Sequence, residues 1–471
     1  MKQKKDRHSP FPRRFDPAMM PPMQQGFVLR LIQRAAFVRP EEMGAVLWSF
    51  VYFFLLLSGY YLIRPLRDAM GIAGGEKALP WLFSATFVAM LCAVPLYGAL
   101  VTRLSRRRLV PFVYRFFAAN LLLFFALVML GVPRPLIGRV FFVWTSVYNL
   151  FIVSVLWSFL VDVFTSEQGK RLFGVIAAGG SAGAIAGPLV TAAVSQRLGQ
   201  THLFWLLVLS ALTLEACVFC ARKAELHAGS RRESHARASS DKPVGGSLFA
   251  GVRLVASSPY LAGIALVMLL LTTMNTFLYL QKTDLVRRAA QGSAAQTALF
   301  AWNDTAVSVL SATLSFFLTG RLMTRLGLAA ALAVLPVLSG LGFSALALYP
   351  SLAVVAVVEG LRRAAQYAIE RPAREVLYTV LPREAKYKAK SFIDTVVFRG
   401  GDAASAWAHA GLIALGLSFS SISLVAAPLA GLWLGVALFL ARREKVMAGE
   451  VTPEAAPASP EALPSAKAPP A

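Results

Sequence analysis

Ser58–Gly71 reads SGYYLIRPLRDAMG and closes an apolar run that begins near Ala45. Two arginines and an aspartate stand where a helix is still inside a bilayer or just leaving it. Ionisable groups at such a depth pair with one another or face a water-filled cavity. Tyr60 and Tyr61 suit a membrane interface, and Pro65 is able to kink or end a helix. Two readings of Arg64 and Arg67 follow. They form one wall of a substrate path, or they are flanking anchors whose side chains snorkel outward.

Outward from this stretch, apolar runs of similar length recur along the chain. Its 471 residues are 57% hydrophobic and only 15% charged, with a mean hydropathy of +0.61. A bilayer-spanning helix needs about 20 apolar residues. Runs that fit occur at about 45–63, 79–100, 109–130, 140–161, 172–195 and 203–220, then at about 260–280, 297–318, 328–349, 352–367, 392–415 and 422–440. The pattern predicts an all-α polytopic membrane protein of twelve spans. Residues 1–40 form a basic tail, 41–221 a six-helix bundle, and 222–258 a polar linker with a helix lying on the surface. Residues 259–443 form a second six-helix bundle, and 444–471 a disordered tail rich in Ala, Pro and Glu.

The net charge of +23 does not point to nucleic acid, because most Lys and Arg lie between apolar runs, on alternate sides. The positive-inside rule then places both termini in the cytoplasm. The first forty residues are polar and basic without a short apolar core, so no cleavable signal is expected. Cys92, Cys217 and Cys220 lie within apolar runs, without zinc-type spacing, and read as small buried hydrophobes.

The two halves echo each other. YLIRPLRD ends the first span at Asp68 and LYLQKTD the seventh at Asp284; GALVTRLSRR follows the second from Gly98 and GRLMTRLGLA the eighth from Gly320. TSEQGKRLFG around Glu167 is likewise matched by LPREAKYKAKSF around Glu384. Three matches in one order, at a nearly constant offset, indicate a parallel duplication with a site between the halves, the major facilitator arrangement. Gly98, Arg103, Arg106 and Arg107 also match the Gly-x-x-x-Asp-Arg-x-Gly-Arg-Arg loop of that superfamily, with Thr102 and Ser105 in place of its Asp and Gly. Arginines in such a loop meet helix carboxyl ends.

No enzyme constellation is present: the five histidines are scattered, and there is no nucleophile elbow, H-E-x-x-H or Walker loop. GGSAGAIAG at Gly179–Gly187 has no strand before it, and its small residues let two helices approach closely. The remaining candidates are ionisable residues inside spans. Arg64, Arg67, Arg115, Lys282 and Arg399 come from different spans and suit an anion, since a guanidinium donates two parallel hydrogen bonds to phosphate or carboxylate. Tyr60, Tyr61, Tyr148, Tyr279 and Trp302 offer faces for a ring. Asp68, Asp284, Asp304, Asp402, Arg103 and Arg106 read as gate or ion-pair partners, and Glu359, Arg362 and Arg363 as further charges within spans.

IRPLRD (Ile63–Asp68), SVLWSFLVDVFTSEQGKRLFG (Ser154–Gly174) and REVLYTVLPREAKYKAKSFID (Arg374–Asp394) together resemble the ATP/ADP carriers of plastids and intracellular bacteria and their relatives in free-living bacteria. The resemblance runs from the first helix through the eleventh. It implies a bacterial inner-membrane exchanger whose basic lumen holds phosphates. Arg67 keeps the charge of the family's first-helix lysine. Ser146 and Thr276 fall near two of its acidic positions, and Asp402 near its late lysine, so three of four signature charges differ. The resemblance carries fold and transporter class, not ATP/ADP as the particular substrate.

The expectation is therefore a carrier working by alternating access, without enzyme activity, cofactor or metal. Its substrate is a small organic anion, with a nucleotide or other phosphorylated metabolite as the candidate, and Arg64, Arg67, Lys282, Arg399 and Arg115 with Tyr60 and Tyr61 hold it. The bilayer is its other partner; nucleic acid is not one, and no oligomer is required. The alternatives are a non-transporting membrane sensor or scaffold on a transporter fold, and a lipid or drug exporter.

Overall fold

The computed structural model describes residues 39–72, 78–104, 106–197, 203–228, 248–382, 389–390 and 392–450. After a short 3-10 turn at Pro40–Glu42 come α1 (Met43–Ile72), α2 (Leu79–Arg103), α3 (Arg106–Met129), α4 (Arg134–Val163), α5 (Ser166–Arg197) and α6 (Trp205–His227). The second half begins with α7 (Leu248–Ser257), α8 (Pro259–Ala289) and α9 (Ser293–Leu348). It continues with α10 (Leu352–Ala365), α11 (Arg371–Leu377), α12 (Phe398–Ala414) and α13 (Phe419–Glu450). Among the described residues, 9 helices are long and apolar enough to cross a membrane. The other three expected spans fall on the first arm of α9, on α10–α11 and on α12.

Those three segments are irregular for identifiable reasons. A straight helix as long as α9 would measure about 84 Å at 1.5 Å per residue, far beyond a hydrocarbon core of about 30 Å. It is broken at Gly327, whose φ of 71° and ψ of 171° leave the helical region, into arms at 293–326 and 328–348. A positive φ of this kind is open to glycine without steric cost. A π-helical turn at Gln366–Glu370 joins α10 to α11, and another at Ile393–Val397 leads into α12. Such turns break the regular i−4 ladder and are frequent at functional sites.

Helix ends follow local chemistry. Ser258 and Ser351 accept hydrogen bonds from the amides of Leu261 and Val354, capping α8 and α10. Glu42, just before α1, accepts from Gln168 and Arg171 of α5 at 2.9 and 3.0 Å. Pro65 does not end the first helix, which continues to Ile72. Arg64, Arg67 and Asp68 therefore sit inside a helix instead of on its exit. The sixth helix likewise runs to His227, past the expected end at Cys220.

One hydrophobic core is built only from residues between Ala45 and Ala221, and a second only from residues between Tyr260 and Ala441. In the first, the expected small-residue contact is between α5 and α1. A methyl group on Gly179, Gly183 or Gly187 would collide with the backbone oxygen of Phe50, Phe54 or Ser58. The stripe recurs every fourth residue and lets the two backbones touch. Cys217 and Cys220 are buried, whereas Cys92, expected inside, is exposed. A third cluster joins the halves: Ala69, Ile72, Leu79, Leu82 and Phe142 pack with Leu280, Val286, Phe300 and Ala406.

Candidate functional site

The third cluster marks the end of the molecule where α1 and α8 finish and α2, α9 and α10 begin. One to three turns inside that end, charged side chains from both halves meet. Arg64 of α1 pairs with Asp304 of α9 at 3.6 Å. Asp68 is held by Arg67 at 3.0 Å and accepts a hydrogen bond from Tyr279 of α8, also at 3.0 Å. Glu359 of α10 gathers three donors: Lys282 of α8 at 3.1 Å, Arg363 at 2.9 Å and Asn303 of α9 at 2.9 Å. Since Asn303 and Asp304 are neighbours, the Arg64 and Lys282 pairs belong to one continuous network.

Burial grades across this network. Lys282 and Asp304 are 1% exposed, while Arg64, Glu359 and Arg363 keep 14–17% of their side chains accessible. The pairs thus have a buried edge and a reachable edge. Aromatic faces supply further support for the cations: Arg67 lies 4.2 Å from the ring centre of Phe142, and Arg64 5.4 Å from that of Tyr61. Lys282 stands 5.7 Å from the Tyr279 ring and 5.9 Å from Phe300. Arg362 is buried with no carboxylate among its hydrogen bonds. It donates to the Met274 carbonyl at 3.1 Å and the Asn275 side chain at 3.0 Å.

The balance of charge is uneven. Arg64, Arg67, Lys282 and Arg363 face Asp68, Asp304 and Glu359, leaving one more cation than carboxylates. In this network Arg67 Nε and Arg363 Nη1 are buried donors without a hydrogen-bond partner, and Asp68 Oδ2 and both Asp304 oxygens are buried acceptors without one. Unfilled donors beside an excess of positive charge are what a bound anion would satisfy.

Not every expected site residue joins this group. Arg399 pairs with Asp402 of its own helix at 3.5 Å, and Thr276 of α8 donates to the same carboxylate at 3.3 Å, forming a separate polar spot. Asp284 pairs with Arg287 and Arg288 of its own helix, at 3.2 and 2.6 Å, and lines a cavity of about 170 Å³, open to solvent, with Gln281 and His409. Arg115 is on the outer flank of α3, bound to Glu215 of α6, and not among the converging cations. Tyr60 meets Tyr61 edge-on at 5.2 Å, whereas Tyr148 is buried and stacks on Trp144. Arg103 is exposed at the end of α2, and the side chain of Arg106 lies outside the described residues.

Sequence reasoning left Glu359, Arg363 and Asn303 out of the site. The run EGLRR at 359–363 was the available signal, since three charges within one apolar helix are rare. Asn303 carries no comparable mark.

The same end is closed by contacts between the halves. Trp407 of α12 donates to Ser84 of α2 at 3.0 Å and meets Trp81 edge-on at 5.0 Å, and Phe83 meets Tyr279 at 5.8 Å.

No family model matches the chain, and no curated protein does. Solved structures do. The chain is similar to a point mutant of the nucleoside transporter NupG, with a TM-score of 0.56 at 13% identity over 86% of this chain and 99% of that one. It is similar to a bacterial homologue of the human lysosomal transporter Spinster in an inward-facing, unoccupied conformation, with a TM-score of 0.52 at 12% identity over 88% and 96%. An auto-inhibited POT family peptide transporter gives a TM-score of 0.57 at 14% identity over 86% and 96%. Among the described residues the chain is all-helical, with helices long and apolar enough for a multi-pass membrane protein, and it has the major facilitator fold.

Proposed function

We propose that this chain is a secondary transporter that moves a small organic anion across a bacterial inner membrane by alternating access, a nucleotide or other phosphorylated metabolite being its candidate cargo. The observation that carries the reading is the surplus of one cation, with two unpartnered buried donors on Arg67 and Arg363, where the two halves meet. A neutral or cationic solute would leave that surplus uncompensated, whereas a phosphate or carboxylate group would fill it. Arg67 and Arg363 are the first candidates for contact with the anion, with Arg64 and Tyr61 beside them. Lys282 instead fixes Glu359. The sequence resemblance to ATP/ADP carriers points the same way, and Arg67 is the signature position whose charge is kept.

With both termini cytoplasmic, the closed end faces outward, and the site is reached from the cytoplasm between two six-helix bundles. Opening the outward end requires the Arg64–Asp304 and Tyr279–Asp68 links to part, and an anion that draws Arg64 and Arg67 to itself weakens both. Binding and gating then share the same arginines, which is how a ligand with differential affinity shifts a two-state equilibrium.

The test is counterflow into proteoliposomes preloaded with unlabelled ATP, ADP or a sugar phosphate, with the labelled anion outside. Uptake that needs the internal anion and is lost in Arg67→Ala supports the proposal. A folded protein that moves none of these anions favours a sensor or scaffold. Flux of lipophilic compounds that survives joint neutralisation of Arg67 and Lys282 favours an exporter.

A further inference from the structure

α3 and α6 lie side by side, and each turns one face into the first core. Val113, Tyr114, Phe117 and Leu121 of α3 are buried there, with Leu207, Ala211, Leu214 and Val218 of α6. The reverse faces are exposed, with Phe112 and Phe116 on α3 and Leu212 and Phe219 on α6. In a membrane these aromatic and aliphatic groups would meet acyl chains. Among them stand Arg115 and Glu215.

This pair is well formed and open. Arg115 Nε donates to both Glu215 oxygens at 3.1 and 3.2 Å, and Nη2 donates to Oε1 at 2.6 Å. The two side chains are 54% and 52% exposed. Glu215 is midway along α6, too deep for its short side chain to reach the interface by snorkelling. Acyl chains offer neither donors nor acceptors, so hydrocarbon would leave half of each charged group without a partner. An anionic headgroup drawn to Arg115 would be repelled by Glu215, because the pair itself is neutral. The further cations of α6, exposed Arg222, and Lys223 with its ammonium 5.5 Å from the Phe219 ring, stand about two turns nearer the end of that helix.

We propose that this face is where two copies of the chain pack together in the membrane. A patch with a cation beside an anion is its own complement about a two-fold axis. Arg115 of one copy meets Glu215 of the other, and the four charges close into an alternating ring. Phe112, Phe116, Leu212 and Phe219 surround that ring and exclude lipid. The face lies on the outer flank of the first half, away from the Arg64–Asp304 network, so the inference does not rest on the transport reading.

The experiment is single-molecule counting of the singly labelled, full-length protein in liposomes over a range of protein densities. The wild type is expected to dimerise as density rises. Arg115→Glu places four carboxylates in the ring and is expected to weaken the dimer by about a hundredfold, since apposed like charges cost several kcal/mol. The reversal R115E/E215R restores alternation and is expected to restore the dimer. Leu212→Cys, in a chain with Cys92→Ser, keeps the native charges and is expected to cross-link copy to copy. It also serves where R115E fails to fold. Monomers at every density, a dimer indifferent to R115E, a double reversal that stays monomeric, or a Leu212→Cys protein that cross-links only to another protein would each overturn the proposal.

Discussion

Asp68 and Asp284 hold matching places in the two repeats, YLIRPLRD and LYLQKTD, yet they do opposite things. Asp68 is 1% exposed and links the halves, accepting from Arg67 beside it and from Tyr279 across the seam. Asp284 is 14% exposed and is satisfied within its own helix by two partly exposed arginines. The cations differ in the same way. Arg64 finds its carboxylate in the other half, whereas Lys282 finds Glu359 in its own half. Duplication supplied two similar helix ends, and only the first became an arm across the seam. Buried charges should matter to stability wherever their partner lies, and charges shared between halves to movement as well.

The largest effect is expected inside the second half. Glu359→Gln removes the carboxylate that neutralises both Lys282 and Arg363, and Lys282 has almost no access to solvent. Breaking a buried pair from one side costs about 3–5 kcal/mol, which equilibrium unfolding in detergent should register. Adding Lys282→Met should recover part of the loss, because the stranded charge is then gone. A Glu359→Gln protein as stable as the wild type would mean that water already reaches Lys282.

The matched aspartates sharpen the contrast. Asp68→Asn keeps an acceptor for Tyr279 but leaves Arg67 without a counter-charge, at an expected loss of about 1–3 kcal/mol. Asp284→Asn loses only partly exposed partners and is expected to change stability by less than about 1 kcal/mol. Counterflow should fall strongly in the first variant and little in the second. Equal effects in the two would show that the repeats are symmetric in function after all.

Much of the fold was legible because a bilayer forces long apolar runs, and the fifth-helix glycine stripe revealed a close helix contact. The charges were legible too, since Arg64, Arg67 and Lys282 stand out against apolar neighbours. Their partners were not. In a membrane the core-facing and lipid-facing sides of a helix are both apolar, so periodicity does not tell them apart. Arg115 looked like Arg64 for that reason, although it shares its helical face with the exposed Phe112 and Phe116 instead of the buried Val113 and Tyr114. Asp304 and Glu359 were visible as charges, but their pairings join residues of α1, α8, α9 and α10 that only the folded packing brings together. The alignment of repeats suggested equal roles for Asp68 and Asp284, and local arginines at 287 and 288 undid that symmetry.

The smallest effect is expected at the seam itself, and it bears on mechanism. Arg64 and Asp304 are 3.6 Å apart, longer than a good charge-assisted hydrogen bond. Their coupling in a double-mutant cycle with Arg64→Gln and Asp304→Asn is expected to be about 0.5–1 kcal/mol, at the low end for contacting residues. The informative quantity is how that coupling depends on conformation. On the transport reading it exists only while the end that carries Ser84 and Trp407 is closed, so a cross-link between Ser84→Cys and Trp407→Cys should preserve it. A binder that holds the same end open should abolish it. Coupling that persists in the open form would place the pair outside the gate and leave Tyr279–Asp68 as the polar link to examine next.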